Sequence, residues 1–467
     1  MNINRCFIVA VAALLLAVTS CGRKELANDP LTTVPENAAA VVKVDFVGLL
    51  NEAGCVPVAG RYTLTPALTD LLGESETSTQ TLVTLLADVA PEADLSTVYW
   101  YVPSPGAQPV VTLAATDSEA LMDRLGHTST ASVSISGYSV YTFPGACAVV
   151  RDAQLWIARS ADLVIDTNDI AAKNPFTSSE AKMKALGAEG DVVAVLSALP
   201  ASVPGMTMPA GTFVAATLRC LRSAFHIHAS LVGPDGNVMP IGPEIGQIDS
   251  SFAGMLPPRT AGCVALGLLD WKILFKSLLE NFGNDSRLGG GLVLSMIRPY
   301  IESINGTVAV AVAPAAGVQS LNRFDLSSWE VFLSASMPQD KLDELNSLIS
   351  TLSLMSNFPC TRNSDGTYTV TIDGQLPITV GSVNGQFIIA NYDLALGGVP
   401  QFASAFDGKT VALEIEIPYK GELAQSLGLP WGVTIDSGVE SGEINATVRI
   451  NGITGTPLRA LIEALAK

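Results

Sequence analysis

Two histidines one residue apart, His226 and His228, have the only spacing in the chain that suits metal ligation. On a strand both imidazoles face one way, while Phe225, Ile227 and Ala229 face the other. Two imidazoles could begin a zinc site, but the one remaining histidine, His127, is remote in sequence and no third ligand stands out. The corresponding stretch later in the chain carries Asn445 and Thr447, so the expectation is a polar strand face and no metal. Glu414 and Glu416 also lie two apart, the arrangement a carboxylate pair needs for acid–base work. They alternate with Leu413, Ile415 and Ile417, which reads as the wet side of a half-exposed strand. Tyr99 and Tyr101 flank Trp100 and share one side of a strand; they suit an aromatic ligand platform, and core packing is the stronger reading. Gly289-Gly290-Gly291 follows Arg287 but lacks the Gly-Lys-Ser/Thr ending of a phosphate-binding loop, so it reads as a hinge. No serine-hydrolase elbow, zinc-protease helix or dinucleotide fingerprint occurs. No catalytic residue and no cofactor is therefore assigned.

Cysteine chemistry points to the N-terminus instead. Of seven cysteines, Cys55, Cys147, Cys220, Cys263 and Cys360 sit among apolar neighbours without a CxxC pair, as small core residues do. Their odd number leaves at least one unpaired in a monomer. Cys21 is different. Arg5 precedes an apolar run from Phe7 to Val18, which is too short to span a bilayer and suits a secretory signal. The run ends in Val18-Thr19-Ser20-Cys21, which resembles the lipobox of bacterial lipoproteins: an aliphatic residue, two small ones, then the cysteine that takes diacylglycerol. The resemblance implies cleavage between Ser20 and Cys21, lipidation of Cys21, and attachment to the membrane through that lipid. Gly22 stands where an inner-membrane retention signal would place Asp, so the outer membrane is expected. Arg23-Lys24-Glu25 offers one acid only, which leaves the periplasmic and the cell-surface face both open.

Charge narrows the partners. The 467-residue chain carries 26 basic and 44 acidic residues, and the signal removes only Arg5 from that balance. An acidic surface is repelled by phosphate polymers, so no nucleic-acid partner is expected. Anionic lipid heads repel it too, which leaves the acyl chains as the membrane contact. With 48% hydrophobic and 15% charged residues, the chain can build large cores.

The elements that must position these residues come twice. Val41–Asp45 matches Val264–Asp270, Ser96–Pro103 matches Gly306–Val312, and Val111–Ala115 matches Val331–Ala335. Tyr138–Val140 then matches Tyr368–Val370, Gln154–Ala158 matches Gln386–Ala390, and Gly190–Val195 matches Gly408–Leu413, all in one order. The expected organisation is a signal over 1–20, a lipidated tether over 21–33, a first repeat over 34–245 and a second over 246–467. Alternation and turn chemistry predict strands, with Asn384-Gly385 as a type I′ hairpin turn and Asp152-Ala153 at the matching point. Leu342, Leu345, Ile349 and Leu352 form one stripe of a helix over Gln339–Leu352, and Pro457–Ala466 reads as a closing helix. The fold class expected is α+β: two tandem duplicated domains, each a largely antiparallel sheet with helices on one face.

Val34-Pro35-Glu36-Asn37-Ala38, followed by an apolar strand, Asp45-Phe46 and a helix ending near Gly54, resembles the opening of a group of uncharacterised bacterial envelope proteins, many of them lipoproteins. The second repeat departs from this, with Pro257-Pro258-Arg259-Thr260. The resemblance implies location and class, and no activity. The sequence thus points to a non-enzymatic envelope lipoprotein that binds a partner or maintains the outer membrane. The alternatives are a surface lipoprotein capturing glycan or peptide, and a hydrolase using carboxylates or a histidine-bound metal.

Overall fold

The computed structural model of the protein describes residues 29–197, 202–203, 206–240, 246–268, 298–315, 326–355, 360–372, 376–394, 406 and 408–466. The signal over 1–20, Cys21 and Gly289-Gly290-Gly291 lie outside them. The chain forms two compact units: described residues up to 197, 209–239 and 453–466 make the first, and those within 201–208 and 240–452 make the second.

Ten strands build the sheet of the first unit: β1 (Ala40–Val44), β2 (Val98–Val102), β3 (Val110–Ala114), β4 (Ala131–Ile135), β5 (Tyr138–Phe143), β6 (Ala146–Arg151), β7 (Gln154–Ala158), β8 (Val192–Leu196), β9 (Phe213–Leu221) and β10 (Ala224–Val232). They pair antiparallel in the order β4-β5-β6-β7-β3-β2-β1-β8-β9-β10. The second unit has β11 (Gly262–Leu268), β12 (Gly306–Pro314), β13 (Trp329–Ser336), β14 (Cys360–Arg362), β15 (Tyr368–Ile372), β16 (Leu376–Val383), β17 (Gln386–Ala390), β18 (Val411–Ile417), β19 (Gly432–Glu440) and β20 (Glu443–Asn451). Their order is β14-β15-β16-β17-β13-β12-β11-β18-β19-β20, the first order shifted by ten, again antiparallel throughout. The segments paired in sequence fall on strands at matching positions in the two orders. At the β16–β17 turn Asn384 and Gly385 take φ of +51° and +77°, as a type I′ turn requires.

Helices cover both faces of the first sheet, not the single face expected. Trp100, Val111, Leu113, Leu155 and Ile157 pack on one side with Leu49, Leu86, Leu121 and Leu125, which come from the helices Phe46–Glu52, Thr77–Val89 and Ser118–Thr128. Tyr99, Tyr101, Val110, Trp156 and Val193 pack on the other with Val164 and Leu186 of the helices Ala161–Ala171 and Glu180–Leu186. A strand buried on both faces carries apolar residues without alternation, and every residue of β3 and β7 is buried. Asp45, Asp117 and Ser160 cap three of these helices by accepting from a first-turn amide. Part of the stretch expected as tether belongs to the fold. Pro30–Thr33 form a 3-10 turn capped by Asp29, and Leu31 is buried in the Tyr101 cluster.

In the second unit one face packs Phe252, Met255 and Phe406 against Ala265, Ala309, Ala311 and Ala412, whose small side chains admit the rings. On the other face the helix Gln339–Met355 sets Leu342 and Leu345 against Ala335 and Met337. Beside that helix, among the described residues, Val264 and Val310 are 41% exposed, Val312 and Ile389 37%. Val264 sits opposite Val310, Val310 opposite Leu333, and Leu333 opposite Ile389, so the four belong to one apolar patch.

Close approach at the β18–β19 connection requires glycine. A Cβ on Gly432 would lie 2.5 Å from the Tyr419 nitrogen and 2.7 Å from the Ile417 oxygen. Gly432→Ala is therefore expected to destabilise the second unit by about 1–3 kcal/mol, since backbone cannot yield as a side chain does. Urea unfolding checks this, and an unchanged midpoint would refute the collision.

The final helix, Pro457–Leu465, follows the last strand of the second unit but packs in the first, with Leu458 and Ile462 in the same cluster as Leu49 and Leu86. The division by sequence assigned this segment to the second repeat.

Candidate functional site

A group of charged side chains built around a buried carboxyl lies where β18 meets β19. On β18, Ala412 and Glu414 face the aromatic core of the second unit, and Leu413 and Ile415 face the opposite way. Glu414 stands directly between Cys263 on β11 and Asp436 on β19. Lys409, just ahead of β18, reaches both acids. Its stem crosses Gly438, where a Cβ would lie only 2.2 Å from Lys409 Cδ. Its Nζ donates to Glu414 Oε1 at 3.2 Å, Asp436 Oδ1 at 2.9 Å and the Ser437 carbonyl at 3.4 Å.

Glu414 is 3% exposed, which corrects the expectation of a wet strand face. The sheet is covered on that side, so alternation did not separate core from solvent. Glu416 is exposed, and the partner of Glu414 is Asp436 from the next strand. Burial pushes the Glu414 carboxyl up to about 7, with the charge of Lys409 working against it and Asp436 working for it. Burial also works upward on Asp436, but Lys409, a hydrogen bond from Glu414 and the charge of Arg449 bring it below its ordinary value. A proton shared toward Asp436 with an ammonium beside it accounts for both directions. The Cys263 thiol is pushed up to about 12 by burial and by the charge of Glu414. It is therefore a poor nucleophile, because the thiolate is the reactive form.

The first unit has its own group at the matching strand. Asp191 stands just ahead of β8 as Lys409 stands just ahead of β18, and its carboxylate accepts from the Cys220 N–H. Burial raises the Cys220 thiol, with Asp191 and Glu52 adding to it. Burial also raises Glu52, while Thr456 works the other way and Asp191 adds.

The remaining candidates are placed as follows. His226 and His228 lie on β10 opposite Arg219 and Thr217. Among the described residues no three His, Cys, Asp or Glu side chains gather in a way that could hold a metal ion. Tyr99 is 3% exposed and Tyr101 not at all, so they are core and not a ligand platform. Burial pushes the Tyr101 phenol up to about 12. Cys55, Cys147 and Cys263 are buried, Cys220 and Cys360 half-buried, and all five thiols are free. Sequence reading missed Lys409 and Asp436. The one available signal was Gly438 two residues beyond Asp436, a gap in a strand that often marks close approach.

No family model matches the chain. No curated protein matches it either. Among solved structures, crystal form III of TP0453 matches at 12% identity and a TM-score of 0.28, covering 46% of this chain and 83% of that one. Crystal form IV matches at 13% and 0.27, covering 44% and 80%. Crystal form I matches at 11% and 0.28, covering 46% and 83%. At these scores nothing is carried over to this chain. No helix among the described residues is long and apolar enough to cross a membrane.

Proposed function

We propose that this protein is a lipid-anchored envelope lipoprotein of the outer membrane whose two units form a non-enzymatic binding module. The observation that carries the anchoring is Val18-Thr19-Ser20-Cys21 at the end of a short apolar run. The binding reading draws on the packing. Several described groups with chemical potential are withdrawn from water: Glu414 under Lys409, Cys263 behind Glu414, Tyr99 and Tyr101 in the core. What faces water instead includes the apolar patch of Val264, Val310, Val312 and Ile389, and patches of that kind mark interaction surfaces. We further propose that the units arose by tandem duplication, which the shared strand order supports.

The anchor is tested by growing cells with a clickable palmitate analogue. The wild type is expected to take the label and Cys21→Ala to lose it and leave the membrane fraction. Label retained in Cys21→Ala would end the lipoprotein reading. Protease treatment of intact cells then decides the face: digestion with periplasmic markers spared means the surface, and protection means the periplasm.

A further inference from the structure

Lys409 and Thr410 hold three parts of the second unit together. The Lys409 carbonyl accepts from the Ile248 N–H at 2.9 Å, and the Thr410 carbonyl accepts from the Gly267 N–H at 2.8 Å. The Thr410 N–H donates to the Val439 carbonyl at 2.8 Å. Nearby, Phe406 is fully buried against Phe252 with ring centroids 5.3 Å apart. Beneath this junction sit the two acids and the ammonium. Two opposed carboxylates and one ammonium carry a net negative charge when both acids are ionised, and the Glu414 end of the set is buried while Asp436 is half-buried.

We propose that Lys409, Glu414 and Asp436 form a proton-operated latch that fastens the Lys409-Thr410 junction to the sheet while Glu414 is protonated and loosens it when Glu414 ionises. In the closed form Glu414 donates to Asp436, Lys409 neutralises Asp436, and the set has no net charge. Raising the pH moves the proton from Glu414 to solvent and leaves directly opposed carboxylates with one ammonium between them. The groups facing the set are Cys263 from β11, a neutral thiol, and Thr447 and Arg449 from β20. Glu416 lies exposed on the same strand as Glu414.

The direction of the effect follows from linkage. Glu414 holds its proton more tightly folded, at about 7, than at its ordinary 4.5. The stabilisation is complete below about 4.5, falls as pH rises from there to about 7, and then levels off.

Hydrogen exchange read by mass spectrometry from pH 5 to 8 tests the latch on the full mature chain. Peptides covering 246–268 and 408–413 are compared with β3 and β7 of the first unit, which correct for the intrinsic pH dependence. In the wild type, relative protection is expected to fall by on the order of 10²-fold between pH 5 and 7 and to level above it. Glu414→Gln keeps a donor toward Asp436 and should show no such fall. A flat wild-type profile, or the same fall in Glu414→Gln, would overturn the proposal. Should Glu414→Gln not fold, Asp436→Asn serves: without the opposing charge the levelling point must move to lower pH. An unmoved levelling point overturns the proposal equally.

Discussion

A chain ending at Gly455 is expected to lose most of the stability of its first unit. The helix Pro457–Leu465 buries Leu458 and Ile462 beside Leu49 and Leu50. Each large aliphatic side chain contributes about 1.5–3 kcal/mol by leaving water. Thr456 adds two bonds: its hydroxyl accepts from the Arg459 amide at 3.2 Å as the helix cap, and donates to the Glu52 carbonyl. A cap of this kind is worth about 1 kcal/mol. The Arg459 stem also lies over Gly54, where a Cβ would come within 3.1 Å of it. Together the loss is roughly 5 kcal/mol, comparable with the whole stability of a typical domain. Hydrogen exchange at β3 and β7 reads the outcome. Native protection there in the shortened chain would mean that the helix is peripheral.

Trp156→Ala should cost about 3–5 kcal/mol, the range for removing a fully buried large aromatic. The ring is 1% exposed and stands edge-on to Tyr138, with centroids 6.0 Å apart and planes at 70°. Its Nε1 donates to Thr33 Oγ1 at 3.2 Å, so the indole also fastens the Pro30–Thr33 turn to the sheet. Trp156→Phe keeps most of the apolar surface but loses that bond, and should cost about 1 kcal/mol beyond the change in volume. Urea midpoints for the two variants separate the contributions. Equal costs would show that the hydrogen bond carries most of the effect and the packing little.

Local chemistry was legible wherever one backbone rule decided the outcome. Asn384-Gly385 needs positive φ at both residues, and the hairpin stands where it was expected. The stripe of Leu342 and Leu345 fixed both the helix beginning at Gln339 and its buried side. Burial across a sheet was harder to read. Glu414 and Glu416 look equivalent by alternation, yet one is buried and the other exposed. What separates them is Lys409, whose position ahead of β18 places its ammonium beside Glu414, with Gly438 clearing the path for its stem. Tyr99 and Trp100 raised the opposite difficulty. Both faces of β2 are covered, so neither side could be assigned to solvent from pattern alone. The destination of the last helix was not legible at all. Its amphipathic face asks only for an apolar surface, and both units contain one.

The return of residues 453–466 to the first unit bears on the order in which the molecule can be made. Domains ordinarily complete their folding from the N-terminus as the chain emerges. Here Leu49, Leu50 and Leu86 wait for Leu458 and Ile462, which are synthesised roughly 400 residues later. The second unit has all its described strands available first. Until then the first unit persists with part of its core uncovered, so its folding is completed only after the described strands of the second unit have been made.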